Sequence, residues 1–135
     1  MTTAVIVDAV RTAGGKRNGK LRNWHAVNLA SEALKALAER NQLDPALVDD
    51  VIMGCVMQVS EQSLNVGRNA VLAAGWPESV PATTIDRQCG SSQQAVHFAA
   101  AGVAASTNQA RCGCAFRTAT AKPRWKPSSS IPAAA

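Results

Sequence analysis

Ala82-Thr83-Thr84-Ile85-Asp86-Arg87-Gln88-Cys89-Gly90-Ser91-Ser92-Gln93-Gln94-Ala95-Val96-His97-Phe98 is the stretch on which the fold turns. Its first four residues follow Pro81 and read as a short strand, because β-branched side chains suit a pleated surface. Its remainder, continued by Ala99 to Ala105, reads as a helix from about Gly90 to Ala105. Ala95, Val96, Phe98, Ala99, Ala100, Ala101, Val103, Ala104 and Ala105 surround the helix axis, and only Gln93, Gln94 and His97 interrupt them. A helix that is small and apolar all round is expected to be buried on every side. At 1.5 Å per residue it is about 24 Å long. A three-stranded sheet covers one face of such a rod, so a second layer is needed, and the pattern of this chain offers none.

Working outward, Ala4-Val5-Ile6-Val7 and the apolar run Val51 to Met57 around Gly54 also read as strands. Trp24 to Arg40 reads as a helix, with Ala26, Ala30, Ala33, Leu34, Leu37 and Ala38 on one face and Glu32, Lys35 and Glu39 on the other. Asn23 is its expected N-cap and Asn41 its expected left-handed terminator. Asp44-Pro45 predicts a capped helical turn. Asn65 to Ala74 reads as another helix, ended by Gly75 and Pro77. The resulting order, β-α-β-α-β-α, is that of an α/β domain with a mostly parallel sheet and crossover helices. After Ser106 the pattern fails. The last 30 residues hold three of the six prolines and a Ser128-Ser129-Ser130 run, with Phe116, Trp125 and Ile131 as the large apolar residues. The expected division is a domain at 1–105 and a divergent, disordered tail at 106–135.

Composition narrows the function classes. A chain of 135 residues is enough for one domain, and 47% hydrophobic residues exclude a low-hydropathy disordered chain. Aromatics are 4% and tyrosine is absent, so stacking platforms for single-stranded nucleic acid are not expected. Residues 1–86 carry eight bases and nine acids, whereas residues 87–135 carry six bases and no acid. Those six charges are too dispersed for a nucleic-acid footprint. The longest apolar run, Phe98 to Ala105, is far short of a membrane span. Asp8 within the first apolar stretch and the lack of a basic start argue against a signal peptide. Cys55, Cys89, Cys112 and Cys114 are therefore expected as thiols in a reducing cytoplasm. Cys112-Gly113-Cys114 has no neighbouring histidine or second cysteine pair, so no metal site is expected.

Two segments are candidates for chemistry. Gly14-Gly15-Lys16-Arg17-Asn18-Gly19-Lys20-Leu21 approaches a phosphate-binding loop, but Leu21 lacks the hydroxyl that would hold magnesium. A tight glycine turn with solvated bases explains it as well. Cys89 is the sharper signal. It stands between a strand and a helix start, where free N–H groups and the positive helix end favour an anionic sulfur. Arg87 adds to this if it faces the thiol, Gly90 permits close approach of a substrate, and Ser91 and Ser92 can cap. A nucleophilic cysteine and a buried structural cysteine both remain open on spacing alone. His97 lies eight residues on, about 12 Å along the axis, too far to serve as base to Cys89, and is expected to be a satisfied buried histidine. His25 begins a helix without an evident partner, and Cys55 reads as core.

Six separated blocks resemble the thiolase family of acyl-CoA C-acyltransferases, in the family's order. They are Asp8-Ala9-Val10-Arg11-Thr12 with Gly14 and Gly19; Gly54-Cys55-Val56-Met57-Gln58; Asn65 with Gly67-Arg68-Asn69-Ala70; Ala74-Gly75-Trp76-Pro77; Val80-Pro81-Ala82-Thr83-Thr84; and Arg87-Gln88-Cys89-Gly90-Ser91-Ser92-Gln93-Gln94-Ala95. The resemblance implies an α-β-α-β-α arrangement of two similar halves, with the helix after Cys89 in the middle layer. It implies that Cys89 accepts the acyl group of a thioester and that acetyl-CoA then attacks the acyl-enzyme, or the reverse, thiolytic cleavage of 3-ketoacyl-CoA. Oxyanion holes would stabilise the intermediates. Coenzyme A thioesters would be substrates, with no cofactor besides, and the complete enzyme would be an oligomer. The Gly-His-Pro and Cys-x-Gly-Gly segments of the family are absent from this sequence. The chain is accordingly expected to be a truncated N-terminal part, inactive alone, or else a non-catalytic fragment that associates with itself or a full-length thiolase.

Overall fold

The computed structural model describes residues 3–105 and the strand 112–117. Helix α1 spans Ala26–Asn41, β1 Val48–Gly54, α2 Val66–Ala73, β2 Ala82–Ile85, α3 Ser91–Ala105 and β3 Cys112–Arg117. Two short 3-10 turns, Pro45–Leu47 and Ser60–Gln62, flank β1. The sheet order is β2-β1-β3, and both pairings are parallel. Gly54 aligns with Ile85 on one side and with Arg117 on the other.

Side-chain alternation places the helices. Neighbouring residues of a strand point to opposite faces. A Cβ added to Gly67 of α2 would meet Met53 Cβ and Thr84 Oγ1, each at 3.1 Å. A Cβ added to Gly54 would overlap the backbone of Ser91 and Ser92. Because Met53 and Gly54 are adjacent, α2 covers one face of the sheet and α3 the other. Helix α1 packs on α2 as an outer layer. The core lies between α1, α2 and the sheet. Leu34, Val51, Met53, Val71 and Val80 are its largest fully enclosed apolar side chains, and Trp76 closes it.

Local chemistry sets the element boundaries. Helix α1 buries Ala30, Ser31, Ala33 and Leu34, the face read from the periodicity. Its cap is His25 rather than the expected Asn23, because His25 Nδ1 accepts from the Val27 N–H at 3.2 Å. Its left-handed terminator is Gln42, at φ 49°, rather than Asn41, and the Gln42 N–H reaches the carbonyls of Ala38 and Glu39. Asn41 instead donates to the Asp8 carboxylate at 2.9 Å. Asp44 caps the turn after Pro45 as expected, accepting from the Ala46 N–H at 3.0 Å. Asn65 caps α2 from a left-handed conformation. Its Oδ1 accepts from Arg68 N–H at 3.2 Å and Thr84 Oγ1 at 2.7 Å, and its Nδ2 donates to the Ala82 carbonyl at 2.8 Å. The Arg68 guanidinium donates to the carbonyls of Val80 and Glu78. Asn65 and Arg68 thus staple α2 to the connection that enters β2.

Three expectations are corrected. Ala4–Val7 forms no strand, and Val5, Ile6 and Val7 are exposed. Both edges of β1 are already paired, by β2 and β3, so no central position is left for this run. Where little structure was expected after Ser106, Cys112–Arg117 forms β3. Ladder pairing is made by the main chain, which the composition of the segment does not forbid. The other residues of the expected disordered tail lie outside the described residues. Finally, α3 is not a buried central helix in this chain. Only Ser91 and Ala95 are buried, and Val96 and Phe98 are 41% and 51% exposed. The sheet covers one side, and no described element covers the rest.

Asp50 is an anomaly within β1. Its Oδ1 is enclosed and has no hydrogen-bond partner among the described residues. Burial pushes its carboxyl above the ordinary value, opposed by a hydrogen bond from the Val51 backbone. A raised folded-state pKa means that this carboxyl favours folding while protonated and loses that contribution as pH rises through the folded value. The substitution Asp50→Asn is therefore expected to raise the urea midpoint at pH 7. That gain should shrink towards zero near pH ~4, where the unfolded carboxyl is itself half protonated.

Candidate active site

Cys89 sits on the turn that joins β2 to α3. The Gly90 N–H closes the turn on the Arg87 carbonyl at 2.8 Å, and Gly90 in turn receives the Gln94 N–H on its own carbonyl at 2.9 Å. Gly90 therefore stands in the cap position, and Ser91 begins the helix. Cys89 is the third residue of the turn, at φ 58°. That left-handed region is occupied readily by glycine and costs other residues about 1–2 kcal/mol. Its thiol is exposed.

The surrounding residues hold this conformation. The Ser91 hydroxyl accepts from the Arg87 N–H at 2.9 Å and donates to the Arg87 carbonyl at 2.9 Å. Gln88 Nε2 donates to both carboxylate oxygens of Asp86, at 2.9 and 3.2 Å. The Arg87 guanidinium donates to Gln94 Oε1 at 3.0 Å and lies over Gly90, where an added Cβ would meet it at 3.6 Å. Arg87 is thus braced along the first turns of α3. Beneath the turn, Gly54 brings the end of β1 against the backbone of Ser91 and Ser92. The cysteine lies beyond the carboxyl ends of two parallel strands, the edge at which open α/β sheets bind ligands.

The other sequence candidates fall elsewhere. Gly14–Leu21 is a series of tight turns, with Gly19 N–H on the Lys16 carbonyl at 2.9 Å and Arg22 N–H on the Gly19 carbonyl at 3.1 Å. It has neither a strand before it nor a helix directly after it, so it lacks the frame of a phosphate-binding loop. His97 is exposed rather than buried, because no described element covers its side of α3. His25 serves as a helix cap. Cys55 is core as expected, 4% exposed, with its Sγ 3.4 Å from Gln62 Oε1. Burial pushes the Cys55 thiol up, and the Asp86 carboxylate adds to this against a bond to the Met57 backbone. Cys112 and Cys114 lie on β3. Among the described residues no group of three or more His, Cys, Asp and Glu is arranged to hold a metal ion. None of the described helices is long and apolar enough to cross a membrane. Sequence reasoning missed Gly54 as the floor of the site. The signal was a lone glycine inside an apolar strand, which marks a close backbone approach.

Known proteins match most of this chain. The family described as "Thiolase, N-terminal domain" matches residues 4–130. A steroid 3-ketoacyl-CoA thiolase of Mycobacterium tuberculosis is 52% identical over 107 residues, which are 79% of this chain and 26% of that protein. A 3-ketoacyl-CoA thiolase of Acinetobacter baumannii is 53% identical over 106 residues, or 78% of this chain and 27% of that protein. The crystal structure of the Bacillus anthracis acetyl-CoA acetyltransferase superposes with a TM-score of 0.67 at 40% identity, over 74% of this chain and 25% of that one. The chain spans about a quarter of the length of these relatives.

The backbone at position 89 gives a direct test. Cys89→Gly removes the left-handed strain, and Cys89→Ala keeps it. The glycine variant is expected to be the more stable by about 1 kcal/mol in urea denaturation, reversing the usual order of these two residues.

Proposed function

The chain belongs to the thiolase family, and from that premise we propose that it is an acyl-CoA C-acyltransferase sequence in which Cys89 is the acyl-accepting nucleophile. The observation that carries the reading is the exposed sulfur on a strained turn, at the start of α3 and beyond the ends of β1 and β2. Deprotonated Cys89 Sγ attacks the carbonyl carbon of an acyl thioester, and the carbonyl π electrons move to oxygen. Collapse of that oxyanion breaks the bond to the coenzyme A sulfur, which leaves as thiolate and takes up a proton. The acyl group is then held on Cys89. Attack by the α-carbon of deprotonated acetyl-CoA gives 3-ketoacyl-CoA and returns the Cys89 thiolate. The reverse sequence is thiolytic cleavage.

The residues in hand support the first half of this cycle better than the second. Proton removal from the thiol and from acetyl-CoA needs an acid/base group near the sulfur. The exposed imidazole of His97 lies about two helical turns along α3 from Cys89. The family's Gly-His-Pro and Cys-x-Gly-Gly segments do not occur in these 135 residues. Loss of each such group costs about 10²–10⁴-fold in rate. Acylation of Cys89 is the step that these 135 residues are proposed to carry. The same proposal carries a cytoplasmic setting, coenzyme A thioesters as substrates and an oligomeric complete enzyme. Incubation with acetyl-CoA followed by peptide mapping should find acetyl on Cys89 and none after Cys89→Ser. An unmodified Cys89 alongside acetylated lysines would overturn the assignment.

A second reading rests on the uncovered side of α3, where Val96 and Phe98 stand in solvent. Under this reading the chain associates with itself or with a full-length thiolase through that face. Size-exclusion chromatography should then show a concentration-dependent species larger than the 14.1 kDa monomer. A sharp monomer peak at all concentrations, unchanged when a full-length thiolase is added, rules it out.

A further inference from the structure

From the geometry around Cys89 we infer that Ser91 is a positioning residue, whose hydroxyl clamps Arg87 and thereby holds Cys89 in its left-handed, outward-facing conformation. This rests on the reading of Cys89 as the nucleophile. Ser91 is 4% exposed, one of the two buried residues of α3, yet it is polar. A buried hydroxyl must be satisfied, and this one is satisfied twice by one residue. It accepts the Arg87 N–H and donates to the Arg87 carbonyl, both at 2.9 Å. The same carbonyl receives the Gly90 N–H that closes the turn. The peptide units on both sides of Arg87 are fixed by a side chain that is itself locked at the helix start. The residues left between these anchors are Gln88 and Cys89.

Gly54 completes the clamp from below. Its missing Cβ lets the end of β1 touch the backbone of Ser91 and Ser92, so the helix start cannot retreat from the turn. Both faces of the turn are therefore held, and Cys89 keeps φ 58° despite its side chain. The hydroxyl of Ser91 has its one proton committed to the Arg87 carbonyl, which leaves it no part in attack or proton transfer. Without the clamp, Cys89 relaxes to an ordinary backbone conformation, and the sulfur leaves the position set by the N-terminus of α3.

The experiment compares wild type, Ser91→Ala and Ser91→Thr in the full chain, labelled with iodoacetamide and read by peptide mapping. Ser91→Ala should slow labelling of Cys89 roughly tenfold. Ser91→Thr, which keeps the hydroxyl, should return it to within about twofold of wild type. Buried Cys55 should stay protected in all three, which reports that the fold is intact. Equal labelling of Cys89 in wild type and Ser91→Ala, with Cys55 protected, overturns the positioning role and leaves the nucleophile assignment standing. Failure of wild-type Cys89 to take acetyl from acetyl-CoA overturns the nucleophile instead. Should Ser91→Ala expose Cys55, the deciding protein is Cys89→Gly/Ser91→Ala, because glycine adopts the left-handed turn unaided. The inference requires this double variant to recover the urea midpoint lost in Ser91→Ala. A double variant as unstable as Ser91→Ala overturns it.

Discussion

The close approach of β1 to α3 at Gly54 is the constraint on which the arrangement rests. A strand end and a helix start meet there backbone to backbone, with no side chain between them. Any residue with a Cβ would push α3 outward and carry the cysteine turn with it. The contact also decides which face of the sheet α3 occupies, because Met53, one residue earlier, faces α2. The layer order and the placement of Cys89 are two results of one missing methyl group.

The polar network on the opposite face has a matching role. Asn65, Thr84 and Arg68 tie the start of α2 to β2 and to the chain entering it. With β2 so anchored, the four residues after Ile85 begin from a fixed point. The turn is short, so little freedom accumulates between the end of β2 and Cys89. A cysteine on a loop is here given the precision of a residue on a strand, through Asp86 and Gln88 at one end and Ser91 at the other.

Much of this was legible in the sequence wherever the signal was local. The face of α1, the turn at Asp44-Pro45, the strand at Ala82–Ile85 and the helix after Cys89 all follow from periodicity and caps. Caps were less legible in detail, because His25 and Gln42 are uncommon choices that won by position over Asn23 and Asn41. Strand membership was the weakest reading. Ala4–Val7 and Cys112–Arg117 compete for places that depend on pairing with distant residues, and pairing leaves no periodic mark on either segment. At the site, the cysteine and the helix start were visible. The pair of hydrogen bonds between Ser91 and Arg87 and the floor at Gly54 were not, since neither leaves a mark on the sequence pattern.

The exposed run Val5-Ile6-Val7 has a consequence of its own. Three β-branched residues without a charge or a proline among them form a template for intermolecular strand pairing. Asp8 follows directly, and its carboxylate is held by the Asn41 amide at 2.9 Å and by Arg40 at 3.2 Å. The Asn41 bond, with help from the Ala9 backbone and the Arg40 charge, keeps the Asp8 carboxyl below its ordinary range. Asp8 is therefore a gatekeeper: it keeps a negative charge beside the sticky run and moors it to the end of α1. Strong acid, by protonating this carboxylate, slips the mooring.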